Sequence, residues 1–256
     1  MTAPSASGTP VEPDVDALAR ASAAELLPEG PPERAEAVAR MLSRAGQAYR
    51  EAHRAYHGVT HLAELLAHLR RARAHATDYT AVVLAGWFHD AVYQPERKDN
   101  EEVSARAATE ALRENGFPEA LGDEVARLIL TTKNHLAVTD PNARVLADAD
   151  CGIWAASPAR YREYARGVRQ EYAVHPWPAY ALGRRRFLSH VLAVQRERGR
   201  LFHFLGPDAE AAALRNLQAE HRALQPLRVA ARLLRGMDPY GARGESERTL
   251  SSDEKT

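Results

Sequence analysis

The segment TAVVLAGWFHDAV, residues 80–92, decides our expectation for the fold. Residues 81–88 are apolar without interruption, so a helix at this position would be buried on every side. The run is far shorter than the ~20 residues that a membrane-spanning helix needs. Elsewhere the chain is rich in Ala, Leu, Arg and Glu, and no segment shows the sustained period-two alternation of a strand. We therefore predict an all-α bundle of about eight to nine helices, with this segment as the buried central helix.

The composition limits the function classes. The chain has 256 residues, 34 Lys and Arg against 34 Asp and Glu, and one Cys. A net charge of zero argues against a protein that mainly binds the nucleic-acid backbone. A single Cys excludes an internal disulfide framework and is typical of a reducing compartment, and the N-terminal residues lack the pattern of a secretory signal. We expect a cytoplasmic protein with no membrane partner and no strong nucleic-acid signature; the sequence predicts no particular oligomeric state.

Three regions follow along the chain. Residues 1–32 are rich in Pro, Ser, Thr and Gly and predict a mostly disordered leader, in which 17–27 could form a short helix. Residues 33–236 predict one helical domain, and residues 237–256 predict a polar, disordered tail. The predicted helices cover 32–54, 60–76, 80–92, 100–114, 118–133, 145–156, 158–174, 178–198 and 208–235.

His89 and Asp90 directly follow the apolar run. A carboxylate at this end of a buried helix is poorly solvated and faces the negative end of the helix dipole. A bound cation would relieve both problems. The alternative, which we favour for the dipeptide taken alone, is that Asp90 lies just beyond the buried part and caps a loop.

The segment YHGVTH, residues 56–61, contains two more histidines. If a helix begins at Thr60, then His61 shares a face with Leu65 and Leu69 and points toward the core. A hydrogen-bonded core histidine is the alternative, and it is the commoner case for such a residue alone. His57 precedes the helix, and we expect it beside the ligands or on the substrate side rather than among the ligands.

The segment LADAD, residues 146–150, places a carboxylate on an apolar stripe. In a helix, Asp150 shares its face with Leu146, Ile153 and Trp154, so its carboxylate needs a partner. Asp148 lies about 200° round the helix. We expect Asp148 to cap the helix or to bond nearby groups, as aspartates at helix starts usually do.

Taken together, two imidazoles and two carboxylates on different helices form a mixed nitrogen and oxygen set. Such a set suits one divalent ion among Mn, Fe, Co, Ni, Mg and Zn rather than a thiolate-binding metal. We therefore predict His61, His89, Asp90 and Asp150 as the ligands of that ion.

These residues, in this order, resemble the HD superfamily of metal-dependent phosphohydrolases, and more closely a bacterial branch of predicted HD phosphohydrolases. The resemblance spans about residues 50–220. It is carried by YHGVTH (56–61), WFHDAVY (87–93), DNEEVSA (99–105) and LADAD (146–150), with VRQEYAVHP (168–176) and YALGR (180–184) as further segments. It implies an HD-type helical bundle around a central metal site, and it agrees with the choice of Asp150 as the last ligand.

The chain also departs from the family pattern. Dinuclear HD proteins usually carry two further histidines between the His-Asp pair and the last Asp, and this chain has only His135 there. The resemblance therefore implies a mononuclear site, or a second site built with a carboxylate. Glu101 or His135 would accept the proton in catalysis. The alternative for Glu101 is a solvated charge in the first turn of a helix.

The resemblance implies hydrolysis of a small phosphorylated substrate, a phosphate ester or nucleotide, by a metal-activated water. Lys133 and Arg169 are the candidates for contacting its phosphate, although such residues more often form surface ion pairs. One alternative is a non-catalytic sensor or docking module that binds metal and nucleotide. Another is a di-iron oxygenase, which the missing second histidine disfavours.

Overall fold

A computed structural model describes residues 12–240, and all regular structure in that range is helical. The predicted all-α class is confirmed, with eleven α-helices in place of about eight to nine. The helices are α1 Val15–Leu26, α2 Pro32–Gln47, α3 Val59–Ala72, α4 Tyr79–Phe88, α5 Asn100–Glu114, α6 Glu119–Thr131, α7 Pro141–Asp150, α8 Pro158–Glu171, α9 Trp177–Arg198, α10 Pro207–Ala223 and α11 Pro226–Leu233. None of these helices combines the length and the apolar character needed to cross a bilayer.

The described chain divides into two compact units. The first unit holds the residues up to 133 together with 141–149, and the second holds 134–140 and the residues from 150 onward. Helices α1–α6 and nearly all of α7 belong to the first unit, and α8–α11 belong to the second. One helical domain over 33–236 stays a prediction.

Helix α4 forms the centre of the first unit. Asp78 caps its N-terminus by accepting a hydrogen bond from the Ala81 amide at 2.9 Å, and every residue from 81 to 88 is buried. A Cβ atom on Gly86 would lie 2.8 Å from Leu65 Cδ2 and 2.9 Å from Leu69 Cδ1, so α3 approaches α4 closely at this point. The missing side chain therefore sets the spacing of the two helices that carry His61 and His89.

The N-terminal region differs from its prediction. Helix α1 lies inside the stretch 1–32 that we predicted to be mostly disordered, close to the short helix expected at 17–27. Asp14 caps it, and Val15, Ala19 and Ala23 are buried where it packs against α2. An apolar face of this size stabilises a helix that composition alone would call disordered. The predictions for residues 1–11 and 241–256 lie outside the described residues.

Several helix ends also differ from their predicted positions. The helix predicted at 208–235 is two helices, because α10 ends before Pro226 and a proline cannot continue the hydrogen-bonding pattern of a helix interior. Helix α2 stops at Gln47 and α4 stops at Phe88, so the predicted ends at 54 and 92 are wrong. Helix α5 has the predicted bounds, and Gly116, with φ of +67°, turns the chain away after it.

Candidate metal centre

Three predicted ligands come together in the first unit. His61 is the third residue of α3, which begins one residue earlier than predicted and is capped by Gly58 rather than Thr60. His89 is the C-cap of α4, and Asp90 follows it in a turn. The His61 and His89 side chains are 2% and 1% exposed, and the Asp90 side chain is 17% exposed. The local sequence thus places two buried imidazoles and one partly exposed carboxylate together, and this group could hold a metal ion.

The ligand atoms have the spacing that one ion requires. His61 Nε2 lies 3.2 Å from His89 Nε2, and Asp90 Oδ2 lies 3.2 Å from His89 Nε2 and 3.9 Å from His61 Nε2. A triangle with these edges has a point about 2.0 Å from all three corners, which is the usual bond length from a metal to imidazole nitrogen or carboxylate oxygen. The spacing of the three atoms is therefore suitable for a divalent ion.

The tautomer of His89 also suits a ligand. His89 Nδ1 lies 2.9 Å from the carbonyl oxygen of Gly86, which can only accept, so Nδ1 carries the proton. The lone pair of neutral His89 is then on Nε2, the atom that faces His61 and Asp90. A backbone carbonyl commonly fixes metal-binding histidines in this way. The contact between the two Nε2 atoms fits either one N–H···N hydrogen bond or two lone pairs directed at one cation.

Two residues at this centre escaped the sequence analysis. The buried Arg54 side chain donates a 2.6 Å hydrogen bond to the carbonyl oxygen of Asp90. The Tyr49 hydroxyl accepts from the Asp90 amide at 3.3 Å and donates to the Trp87 carbonyl at 3.3 Å. Arg54 is one of three charged residues in the segment 49–57, and nothing in the sequence singles it out or identifies its partner.

His57 and Asp148 are the residues we predicted beside the ligands. The His57 ring centre lies 5.6 Å from that of His61 and 4.2 Å from that of Tyr93, so His57 does flank a ligand. Asp148 is 4% exposed and lies near the end of α7, which begins at Pro141, so it does not cap the start of the helix. Bonding to nearby groups, the other role that we expected for Asp148, stays a prediction. Asp148 interacts electrostatically with His68. Burial and the charge of Arg71 lower the pKa of His68, and the charge of Asp148 raises it.

Asp150 and His135 contact each other in the second unit. His135 Nε2 lies 2.5 Å from Asp150 Oδ2, and their side chains are 25% and 15% exposed. From the sequence we expected separate roles for them, His135 as a proton acceptor and Asp150 as the fourth ligand. Both roles stay predictions, and the observed contact links two residues that we had not expected to pair.

Lys133 belongs to a charged cluster at the surface of the first unit. Its ammonium group donates to Glu102 and lies 3.9 Å from Glu101 Oε2. The hydrogen bond to Glu102 raises the pKa of Lys133. These contacts are those of a surface ion pair, which was the alternative for Lys133. Phosphate binding by Lys133 and proton transfer by Glu101 stay predictions.

The contacts of Arg169 are those of a residue with a structural role. Its guanidinium donates to the carbonyl oxygens of Tyr172 at 2.6 Å and His175 at 2.9 Å, and it lies 4.6 Å from the centre of the Trp177 ring. Arg169 therefore holds the loop between α8 and α9. A role in phosphate binding stays a prediction.

Comparisons of the chain with protein-family models, with curated proteins and with solved structures return no match.

Proposed function

We propose that the protein is a metal-dependent phosphohydrolase whose ion is held by His61, His89 and Asp90. The observation that carries the metal site is the triangle of ligand atoms, which has one point at metal-bonding distance from all three. The motif segments that resemble HD phosphohydrolases carry the choice of phosphate chemistry.

The donor set supports a catalytic ion rather than a structural one. Two neutral imidazoles and one carboxylate leave a divalent ion with a net positive charge. Structural zinc sites usually close all four positions with protein ligands, whereas catalytic sites keep a position for water or substrate. With Asp150 as the fourth ligand that the sequence predicts, an octahedral ion such as Mg²⁺ or Mn²⁺ would still keep positions for water and substrate. When bound, such an ion supplies a water of lowered pKa and stabilises charge on phosphoryl oxygens.

The exposure of the three side chains suggests the direction of approach. The two imidazoles are almost completely buried, and the Asp90 carboxylate is the part of the group that reaches solvent. A small phosphorylated substrate would therefore arrive on the Asp90 side. Glu101 and His135 are the proposed proton acceptors, one a carboxylate and the other an imidazole.

The test is a phosphatase screen of the purified full chain. Nucleotides and sugar phosphates are supplied with Mn, Co, Ni or Mg in turn, and released phosphate is measured. We expect metal-dependent turnover that Asp90→Asn abolishes. Asp123→Asn, which makes the same change at an exposed position on α6, should retain it.

Other results would overturn the proposal. Tight nucleotide binding without turnover under every metal would favour the sensor. Bound iron together with oxygen uptake would favour the oxygenase. Equal turnover by Asp90→Asn and the wild type would remove Asp90 from the reaction.

A further inference from the structure

The turn at residues 90–94 is held by side chains from several segments of the first unit. Its residues are joined to these side chains through backbone amides, carbonyl oxygens or both, although a surface turn normally leaves such groups to water. At residues 90 and 91, Tyr49 Oη lies 3.3 Å from Asp90 N, and Arg54 lies 2.6 Å from Asp90 O and 3.3 Å from Ala91 O. At residues 92 and 93, Ser104 Oγ lies 3.0 Å from Val92 N and 3.2 Å from Val92 O, and His53 Nε2 lies 2.8 Å from Tyr93 O. At residue 94, Asn100 Oδ1 accepts from Gln94 N at 3.1 Å and Asn100 Nδ2 donates to Gln94 O at 2.8 Å.

Arg54 connects this turn to the chain before α3. Besides its two bonds to the turn, its guanidinium donates to Glu51 Oε2 at 2.9 Å and to the His57 carbonyl oxygen at 3.4 Å. The side chain is 0% exposed and lies over the ring of Tyr49, 5.2 Å from its centre. It therefore ties the turn that carries Asp90 to the segment that leads into His61.

Burying a guanidinium completely is costly unless its donors are all used. Arg54 donates mostly to main-chain oxygens, those of His57, Asp90 and Ala91. The planar guanidinium, with its donors arranged as a fork, can reach several acceptors at once. A packing role alone would not require this choice of acceptors.

We propose that Arg54 is a positioning residue for the metal centre, holding the Asp90 carboxylate at the distance from His61 and His89 that one ion requires. This inference rests on the metal site of the proposed function and not on phosphate hydrolysis. Because Arg54 already fixes the main chain at residues 90 and 91, this turn loses little conformational entropy when an ion binds. Without the guanidinium of Arg54 the turn would lose that entropy on binding, and the affinity for the ion would fall.

The first measurement is the affinity of the full chain for Mn²⁺ by calorimetry. Arg54→Lys keeps the charge and loses the fork, and we expect it to bind Mn²⁺ about 10–100-fold more weakly, the usual effect of losing a group that orients a ligand. The control is Arg184→Lys, which alters an arginine that is also buried beside a glutamate, in the second unit. The control should lower the melting temperature and leave Mn²⁺ affinity unchanged.

The second measurement needs no metal. In the metal-free protein, hydrogen exchange at the amides of 90–94 should accelerate in Arg54→Lys and stay at the wild-type rate in Arg184→Lys. Ser104→Ala removes the tie at Val92 alone and should give a smaller loss of Mn²⁺ affinity than Arg54→Lys.

Unchanged Mn²⁺ affinity in folded Arg54→Lys would overturn the inference, and so would equal losses in Arg54→Lys and Arg184→Lys. A wild-type protein that binds Mn²⁺ and hydrolyses nothing would overturn the proposed function while leaving the role of Arg54 standing.

Discussion

The two units each withdraw a carboxylate from water, and they surround it differently. In the second unit the Glu220 side chain, 2% exposed, lies 2.9 Å from the Arg184 guanidinium and accepts hydrogen bonds from the hydroxyls of Tyr161 and Tyr240. In the first unit the Asp90 carboxylate lies 3.2 and 3.9 Å from the imidazoles of His89 and His61.

Glu220 has a permanent cation beside it. Burial alone would raise the pKa of Glu220, but the Arg184 guanidinium and the hydrogen bonds it receives hold that pKa below its ordinary value. The pair remains ionised, and its hydrogen bonds are made within the unit. Such a network is what a structural ion pair needs.

The groups beside Asp90 are imidazoles, and an imidazole, unlike a guanidinium, is not a permanent cation. They offer lone pairs at a spacing that matches a metal, which an arginine cannot do. The difference teaches that the residue type beside a carboxylate that is largely removed from water distinguishes a structural ion pair from a candidate ligand group.

The largest effect should come from breaking the Arg184–Glu220 pair. Arg184→Met leaves a buried carboxylate without its cation and should lower the free energy of unfolding at pH 7 by about 3–5 kcal/mol. In the wild type the lowered pKa of Glu220 contributes stability that is present above its unfolded pKa and is lost as pH falls through the folded pKa. In the variant the hydrogen bonds from Tyr161 and Tyr240 remain, but the guanidinium that most strongly opposes burial is gone. Burial should then raise the pKa of Glu220, and protonation of Glu220 should recover part of the lost stability. Urea unfolding should show the gap between the proteins narrowing as pH falls from 7 toward 4. A gap that stays constant over this range would show that Glu220 does not carry the loss.

A smaller effect should come from supplying a cation to Asp90. Mn²⁺ at a hundredfold excess over its Kd should stabilise the folded chain by about 2.7 kcal/mol, which corresponds to a rise of roughly 5–10 °C in melting temperature. Chelator should reverse the rise, and Asp90→Asn should remove it while Asp123→Asn keeps it. If Mn²⁺ raises the melting temperature of Asp90→Asn as much as that of the wild type, the stabilising ion binds elsewhere.

The smallest effect separates the two aspartates of LADAD. Asp150→Asn should weaken Mn²⁺ binding about tenfold or more, equivalent to at least ~1.4 kcal/mol, if Asp150 is the fourth ligand as the sequence predicts. Asp148→Asn, which changes a more deeply buried carboxylate, should lower the melting temperature more than the affinity. Calorimetry that finds wild-type affinity in Asp150→Asn would leave Asp150 only as the partner of His135.

The sequence predicted the features that local pattern controls. The uninterrupted apolar run identified α4, and the helical face of His61 and the adjacency of His89 and Asp90 indicated three of the four predicted ligands, which the structure places in one group that could hold a metal ion. Arg54 and Tyr49 were missed because they bind main-chain atoms 36 and 41 residues further along the chain. Hydrophobic periodicity predicts which face of a helix is buried, but it gives no information on which backbone group a polar side chain will reach. Asp148 was misplaced for a related reason: α7 begins at Pro141, and its second residue, Asn142, accepts hydrogen bonds from the Thr77 and Asp78 amides, which are distant in the sequence.

The absent side chain at Gly86 has a consequence for ion selectivity. Leu65 and Leu69 rest against the bare backbone of α4 there, and the carbonyl of the same residue orients the His89 ring. The packing of these two leucines on α4 therefore contributes to the separation between the His61 and His89 imidazoles. A methyl group added at position 86 would lie within 3.0 Å of both leucines and would push α3 away from α4. If His61, His89 and Asp90 hold an ion, Gly86→Ala would then change the cation radius that fits while the three side chains stayed the same.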